Sequence, residues 1–285
     1  MLACIGTACV AITIILAIRQ IVDDKNSRDI LNQQRNPNEA RAEETASPEP
    51  TLAPTVTPTP SPEASAPPTA TPVPTPILVD NPYQDSYLAN SDMAGWLQIP
   101  DTVIDYPVMW TPRDENYYLK RGFDGSPNQN GCLILDTDSC LDPLTTNLII
   151  HGHNMKSGAM FGTLLNYESE EFYQTHKEVI LYTEECQRNY EVIAVFRSQV
   201  FKKSQTDVFK FYKFFQADTQ EEFDDFYDNI MKMSLYDTGV IAQFGDNFLT
   251  LSTCAYHVEQ GRFVVVAKEV ENGDKYLPLT ADDDD

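Results

Sequence analysis

The 285 residues carry 43 Asp and Glu against 20 Lys and Arg, a formal net charge of −23. That balance argues against nucleic acid as a partner, because phosphate binding needs concentrated cations. Six cysteines in a chain of this length are too few for a disulfide-built scaffold.

In chain order, residues 2–18 are uncharged and the run stops at Arg19. Its length is at the short end of the roughly 20 residues that span a bilayer, and no small-x-small cleavage site follows. These features predict an uncleaved anchor over residues 1–19 and a single-pass protein of the cell membrane. Arg19, Lys25 and Arg28 follow the span, so the positive-inside rule taken alone leaves the bulk of the chain in the cytoplasm. Residues 20–79 come next, and 45–76 alone hold 11 of the 19 prolines, mixed with Thr, Ser, Ala and Glu. A Pro/Thr-rich composition cannot bury a core, and it predicts a disordered linker with extended polyproline-like preferences. At roughly 3 Å per residue it reaches about 100 Å.

Residues 80–275 predict one domain with a substantial core, and 276–285 an acidic tail closing on Asp282 to Asp285. From residue 80 onward there are 35 acidic and 15 basic side chains. Eight β-like runs are bounded by Pro, Gly, Asn and Asp: 95–99, 103–109, 131–135, 147–150, 179–182, 190–196, 248–253 and 263–270. Short strands at irregular spacing predict a mainly β domain, a closed barrel or a sandwich. Helices are fewer. One is expected over Tyr83 to Met93 and a short turn from Met160 onward. The clearest is Thr219 to Ser234, where Thr219 and Glu222 fit a capping box. There Phe223, Phe226, Ile230 and Met233 make one apolar face at helical spacing.

Chemistry concentrates at three places. The run Asn247-Phe-Leu-Thr-Leu-Ser-Thr-Cys254 ends on a thiol, and a second β-branched run opens with Arg262. Antiparallel pairing of the two brings thiol and guanidinium together at one end of a sheet. Alternation sets Leu249 and Leu251 on one face and Thr250, Ser252 and Cys254 on the other, which favours a groove over a core for the thiol. Earlier, Asn147-Leu-Ile-Ile-His-Gly-His153 ends a strand with an imidazole after a glycine that permits close approach. Taken singly, a cysteine is most often a small buried hydrophobe, an arginine a solvated charge, and His151, His176 and His257 compete with His153. Together the three supply a nucleophile, a proton carrier and an oxyanion donor. Cys4 and Cys9 fall in the apolar run. Cys132 and Cys140 read as buried or idle thiols, with a bridge between them the minor alternative. No paired C-x-x-C spacing occurs, so neither a metal nor a cofactor is expected.

The stretch Ile150-His-Gly-His153-Asn-Met-Lys-x-Gly-x-Met-Phe-Gly resembles the histidine motif of class B sortases. Thr250-Leu-Ser-Thr-Cys254 resembles the T-L-x-T-C signature of that family, and Arg262 stands in the place of its arginine. Gly95-Trp-Leu and Ile104-Asp-Tyr-Pro-Val108 resemble its early strands, and a helix before the cysteine strand, as at 219–234, is also a feature of the class. The resemblance covers roughly 83–270 in order. It implies an eight-stranded sortase-type β-barrel with peripheral helices, placed on the extracellular side of a Gram-positive-type membrane. It implies Cys254 as nucleophile, His153 as acid and base, and Arg262 as oxyanion or substrate clamp. Leu119 and Ser252 match positions the class uses around its peptide. Some members carry an acidic residue shortly after the cysteine, where this chain has Ala255, Tyr256 and His257; His257 is the candidate for that niche.

The activity so implied is cleavage of a C-terminal sorting motif, near N-P-x-T-(N/D/G), after its threonine. The acyl group then passes to an amine of peptidoglycan or lipid II, or to a pilin lysine. The partners implied are surface proteins bearing the sorting signal, with the membrane reached through the N-terminal helix. An L,D-transpeptidase-like wall cross-linker also uses Cys, His and Arg, but its arginine follows the cysteine more closely than the seven-residue gap here. A papain-like peptidase has cysteine before histidine, the reverse order. The non-enzymatic alternative is a stalk-mounted surface binding domain.

Overall fold

Strands formed by alternating apolar residues dominate the computed structural model, which describes residues 78–270 and 273–279 and four helical positions, Ile21, Val22, Lys25 and Asp29. Between a two-residue β1 (Leu78–Val79) and β10 (Lys275–Tyr276) run eight longer elements of sheet. They are β2 (Met93–Gln98), β3 (Asp105–Met109), β4 (Leu133–Leu135), β5 (Asn147–Gly152), β6 (Glu178–Tyr182), β7 (Gln187–Gln199), β8 (Phe248–Cys254) and β9 (Gly261–Glu269). These eight close into a barrel in the order β2-β3-β4-β5-β8-β9-β7-β6. The β3–β4 and β5–β8 neighbours are parallel and the other barrel pairs antiparallel. Closure leaves no open sheet edge. Of the two architectures compatible with the strand pattern, the chain adopts the barrel.

Period-2 alternation gives the barrel two apolar surfaces. Leu249, Leu251, Val265 and Ala267 face inward with Trp96, Leu148 and Ile150. Their alternates Phe248, Val264 and Val266 face outward and are covered by Phe211 and by α3 (Gln220–Met233). The capping box forms: Thr219 Oγ1 accepts from the Glu222 amide at 3.3 Å, and Glu222 Oε2 accepts from the Thr219 amide at 3.1 Å. Phe223, Phe226 and Ile230 are buried beneath the helix, with Phe226 stacked on Phe214 at 4.0 Å between ring centroids. Each buried phenylalanine is worth about 1.5–3 kcal/mol of apolar transfer.

Several expected boundaries shift. The helix expected over Tyr83 to Met93 is only α1 (Gln84–Ala89), because Asn90 turns extended and its side chain is held by Tyr118 Oη and the Phe123 carbonyl. The expected turn of helix from Met160 forms instead as a 3-10 turn at Leu164–Glu168, since Met160 itself has a positive φ of 52°. A helix not foreseen, α2 (Glu170–Thr175), starts at Ser169, whose side chain accepts from the Phe172 amide.

The membrane expectation is corrected. Among the described residues no helix is long and apolar enough to cross a membrane. Of the helices between residues 78 and 279, the longest, α3, has 14 residues and carries Asp224, Asp225, Asp228 and Lys232, against roughly 20 apolar residues for a span. The anchor expected at 1–19 and the linker at 45–76 lie outside the described residues. A single-pass cell-membrane location with an extracellular domain is therefore unsupported.

Candidate active site

β8 and β9 form a hairpin whose ladder ends on the pair Cys254 and Arg262. Residues opposite one another in an antiparallel pair share a face with Cβ atoms about 4.5–5.5 Å apart, so thiol and guanidinium leave the sheet side by side. The connecting turn is held by the Ala255 amide donating to the Gly261 carbonyl at 3.0 Å. A Cβ on Gly261 would collide with the Ala255 carbonyl, so this tight approach needs glycine just ahead of Arg262. The guanidinium rests on the Gly261 carbonyl, with Nη1 donating at 3.0 Å. Among the described residues no carboxylate pairs with it, which leaves its charge available to a ligand.

The parallel neighbour β5 brings the imidazole. Gly152 registers with Thr253, so His153 and Cys254 each come one residue beyond that pair. Thr253 Oγ1 donates to the Gly152 carbonyl at 2.7 Å, and Asn154 Nδ2 donates to the Cys254 carbonyl at 2.8 Å. Gly152 points into the barrel, where a Cβ would lie 2.6 Å from both Leu133 and Phe161; the histidine strand could not seat there otherwise. His153 Nε2 lies 2.7 Å from the Leu119 carbonyl. A carbonyl only accepts, so Nε2 carries hydrogen and Nδ1 is the position left to take or give a proton.

His153, Cys254 and Arg262 line one groove of about 450 Å³ with Leu119, Ser252 and His151. The face carrying the thiol is open only at this end. Thr250 and Ser252, expected beside it in a polar groove, are 0% and 1% exposed, because the segment that includes Phe211 and α3 covers the strand below. Thr250 Oγ1 donates to Asn147 Oδ1 at 2.9 Å. The Ser252 hydroxyl has no hydrogen-bond partner.

The Sortase domain family model matches residues 97–270. The chain belongs to the sortase family. It is similar to Sortase B of Listeria monocytogenes, 32% identical over 194 residues, which is 67% of this chain and 75% of that one. Sortase B of Staphylococcus aureus is 28% identical over 184 residues, 64% of this chain and 72% of that one. Among solved structures, sortase B from Bacillus anthracis in complex with AAEK1 superposes with a TM-score of 0.59 at 28% identity. That match covers 68% of this chain and 89% of the other. The protein is a class B sortase, a cysteine transpeptidase.

Within this sortase Leu119, which the resemblance sets beside the peptide, lines the groove and also supplies the carbonyl that orients His153. His257 is exposed in the β8–β9 turn and is not among the residues lining the groove. All four described cysteines are free, so Cys132 and Cys140 are not bridged. Burial, chiefly, and the charge of Asp124 push the Cys132 thiol up to about 12. Two features had no sequence reading. Asn154 reaches across to the nucleophile strand, and only its place directly after His153 hinted at a role. His151 Nε2 meets Asp136 Oδ2 at 3.1 Å. Burial works to raise the Asp136 carboxyl, but the bond from His151, the Asp138 amide and the charges of His151 and Lys213 hold it below the usual carboxylate range.

Proposed function

We propose that Cys254, His153 and Arg262 carry a two-step transpeptidation on a C-terminal sorting motif, within a catalytic domain at 80–275. Sortases act on sorting-signal substrates. In the first step the Cys254 thiolate adds to the carbonyl after the motif's threonine, and Arg262 donates to the oxyanion, a contribution of roughly 3 kcal/mol for a single donor. The tetrahedral adduct expels the amine of the next residue, which takes a proton from His153 and departs, leaving a thioester. In the second step an amine attacks the thioester, His153 takes its proton, and the thiolate is regenerated as the new amide forms. Amines of peptidoglycan or lipid II, or a pilin lysine, fit that step, and surface proteins with the sorting signal fit the first.

The observation that carries this reading is the shared groove end: the last register pair of the β8–β9 hairpin beside an imidazole oriented by the Leu119 carbonyl. Leu119 and Ser252 are proposed to contact the peptide. The test is mass analysis of the protein incubated with sorting-motif peptides and an amine. Wild-type protein should form a thioester adduct and the transferred product, and Cys254→Ala neither. Transfer retained in Cys254→Ala, with Cys132→Ala, Cys140→Ala or Cys186→Ala losing it instead, would falsify the assignment of the nucleophile.

A further inference from the structure

One strand row along the groove from the nucleophile lies a cluster that the transpeptidation does not use. Glu115, Asp136 and His151 each offer one donor atom, and the three atoms lie within 4.8 Å of one another. They come from three separate segments: the loop after β3, the residue following β4, and β5. Their closest pair, His151 Nε2 and Asp136 Oδ2, is 3.1 Å apart. A second observation points to a ligand here. Ser252 is the register partner of His151 across the β5–β8 ladder and lines the same groove. It is 1% exposed, and its hydroxyl has no partner. Leaving a buried hydroxyl unsatisfied costs about 1–3 kcal/mol, so an occupant that supplies a partner is favoured.

We propose that Glu115, Asp136 and His151 bind a divalent transition ion of the Zn²⁺ type, with water completing the shell. One imidazole nitrogen and two carboxylate oxygens suit such an ion, whereas Mg²⁺ and Ca²⁺ favour oxygen alone. At metal–ligand distances of about 2.0–2.2 Å, two tetrahedral ligands stand roughly 3.4 Å apart, close to the spacing His151 and Asp136 already hold. Glu115 is exposed on a loop and can close the remaining distance. Lys213, whose charge acts on Asp136, is also exposed and leaves the position open to a competing cation. Ser252 precedes Cys254 by two positions on the same strand face, so the ion would sit roughly 7 Å along the groove from the thiol. A peptide entering the groove meets it there, and the bound ion should inhibit acylation without touching the sulfur.

The test is calorimetric titration of Zn²⁺ into full-length Cys254→Ala, which removes the thiolate as a competing ligand. One equivalent should bind, and Mg²⁺ should not compete. Adding Glu115→Gln or His151→Ala should weaken binding by at least the roughly 10- to 100-fold that loss of an outer-shell partner costs. Thermal unfolding of each variant establishes folding, and Glu115, exposed on its loop, is the substitution least able to disturb it. Absence of binding, or affinity unchanged in Glu115→Gln, overturns the proposal. This arm requires no turnover, so its result stands apart from the fate of the proposed mechanism. In active protein, Zn²⁺ inhibition of acylation should be relieved by a chelator and weakened in Glu115→Gln. Inhibition undiminished in that variant would assign the ion to Cys254 and His153 instead.

Discussion

His153 offers its Nε2 hydrogen to the Leu119 carbonyl, whereas His151, two residues earlier on the same face, meets the Asp136 carboxylate. In single-turnover acylation, His153→Ala should lower the rate by roughly 10²- to 10⁴-fold, the usual worth of a positioned acid–base group. His151→Ala should lose less, because its partner ties it to Asp136 and not to the reacting carbonyl; equal losses in folded variants would mean the imidazole has been misassigned. Arg262 presents a second contrast at this scale. A guanidinium delivers several donors in a fixed plane and an ammonium only a mobile point charge. Arg262→Lys should therefore stay impaired by roughly 10²-fold in acylation although its charge is kept. Rates close to wild type in that variant would reduce Arg262 to a general electrostatic effect.

At the level of elements, α3 shows how far local pattern decides local structure. Its capping box and its apolar spacing were both readable in the sequence, and Phe223, Phe226 and Ile230 are buried as that spacing requires. Phe226 is 1% exposed and lies between Phe214 and Phe248, so Phe226→Ala should cost about 3–5 kcal/mol in urea unfolding. Thr219→Ala removes one cap bond on an exposed turn and should cost about 1 kcal/mol. The reverse order would mean that the helix is held by its own turn and not by the barrel. Strand ends were less legible. β7 runs for 13 residues, well past the expected 190–196, because Arg188 and Asn189 pair with β6 and Arg197 and Ser198 pair with β9. Polar residues at a strand's ends carry no apolar alternation to read. β1 and β10, two residues each, pair with one another, and Lys275 also bridges Cys186 ahead of β7; such short runs left no pattern at all.

For the whole molecule, what could be read depended on how far apart in sequence the partners lie. The Cys254–Arg262 pair was legible because one hairpin makes it. His153 needed the parallel β5–β8 pairing across about a hundred residues, which motif resemblance supplied and periodicity could not. The His151–Asp136 contact needed the β4–β5 register as well, and no local signal announced it. The same topology ties the two apolar surfaces into one unit, since Phe248, Val264 and Val266 on the outside alternate with Leu249, Leu251 and Val265 on the inside of the same strands. Loosening the outer layer must therefore loosen the barrel. Trp96, fully buried and stacked on Tyr83 at 4.5 Å, reports the barrel side. With Trp110→Phe as background, Trp96 becomes the single tryptophan of the chain. Phe226→Ala should then shift the urea midpoint of Trp96 fluorescence by the same amount as that of far-ultraviolet circular dichroism, as a two-state transition requires. A fluorescence midpoint left in place while the helical signal moves would show instead that α3 and its outer core unfold separately from the barrel that positions Cys254.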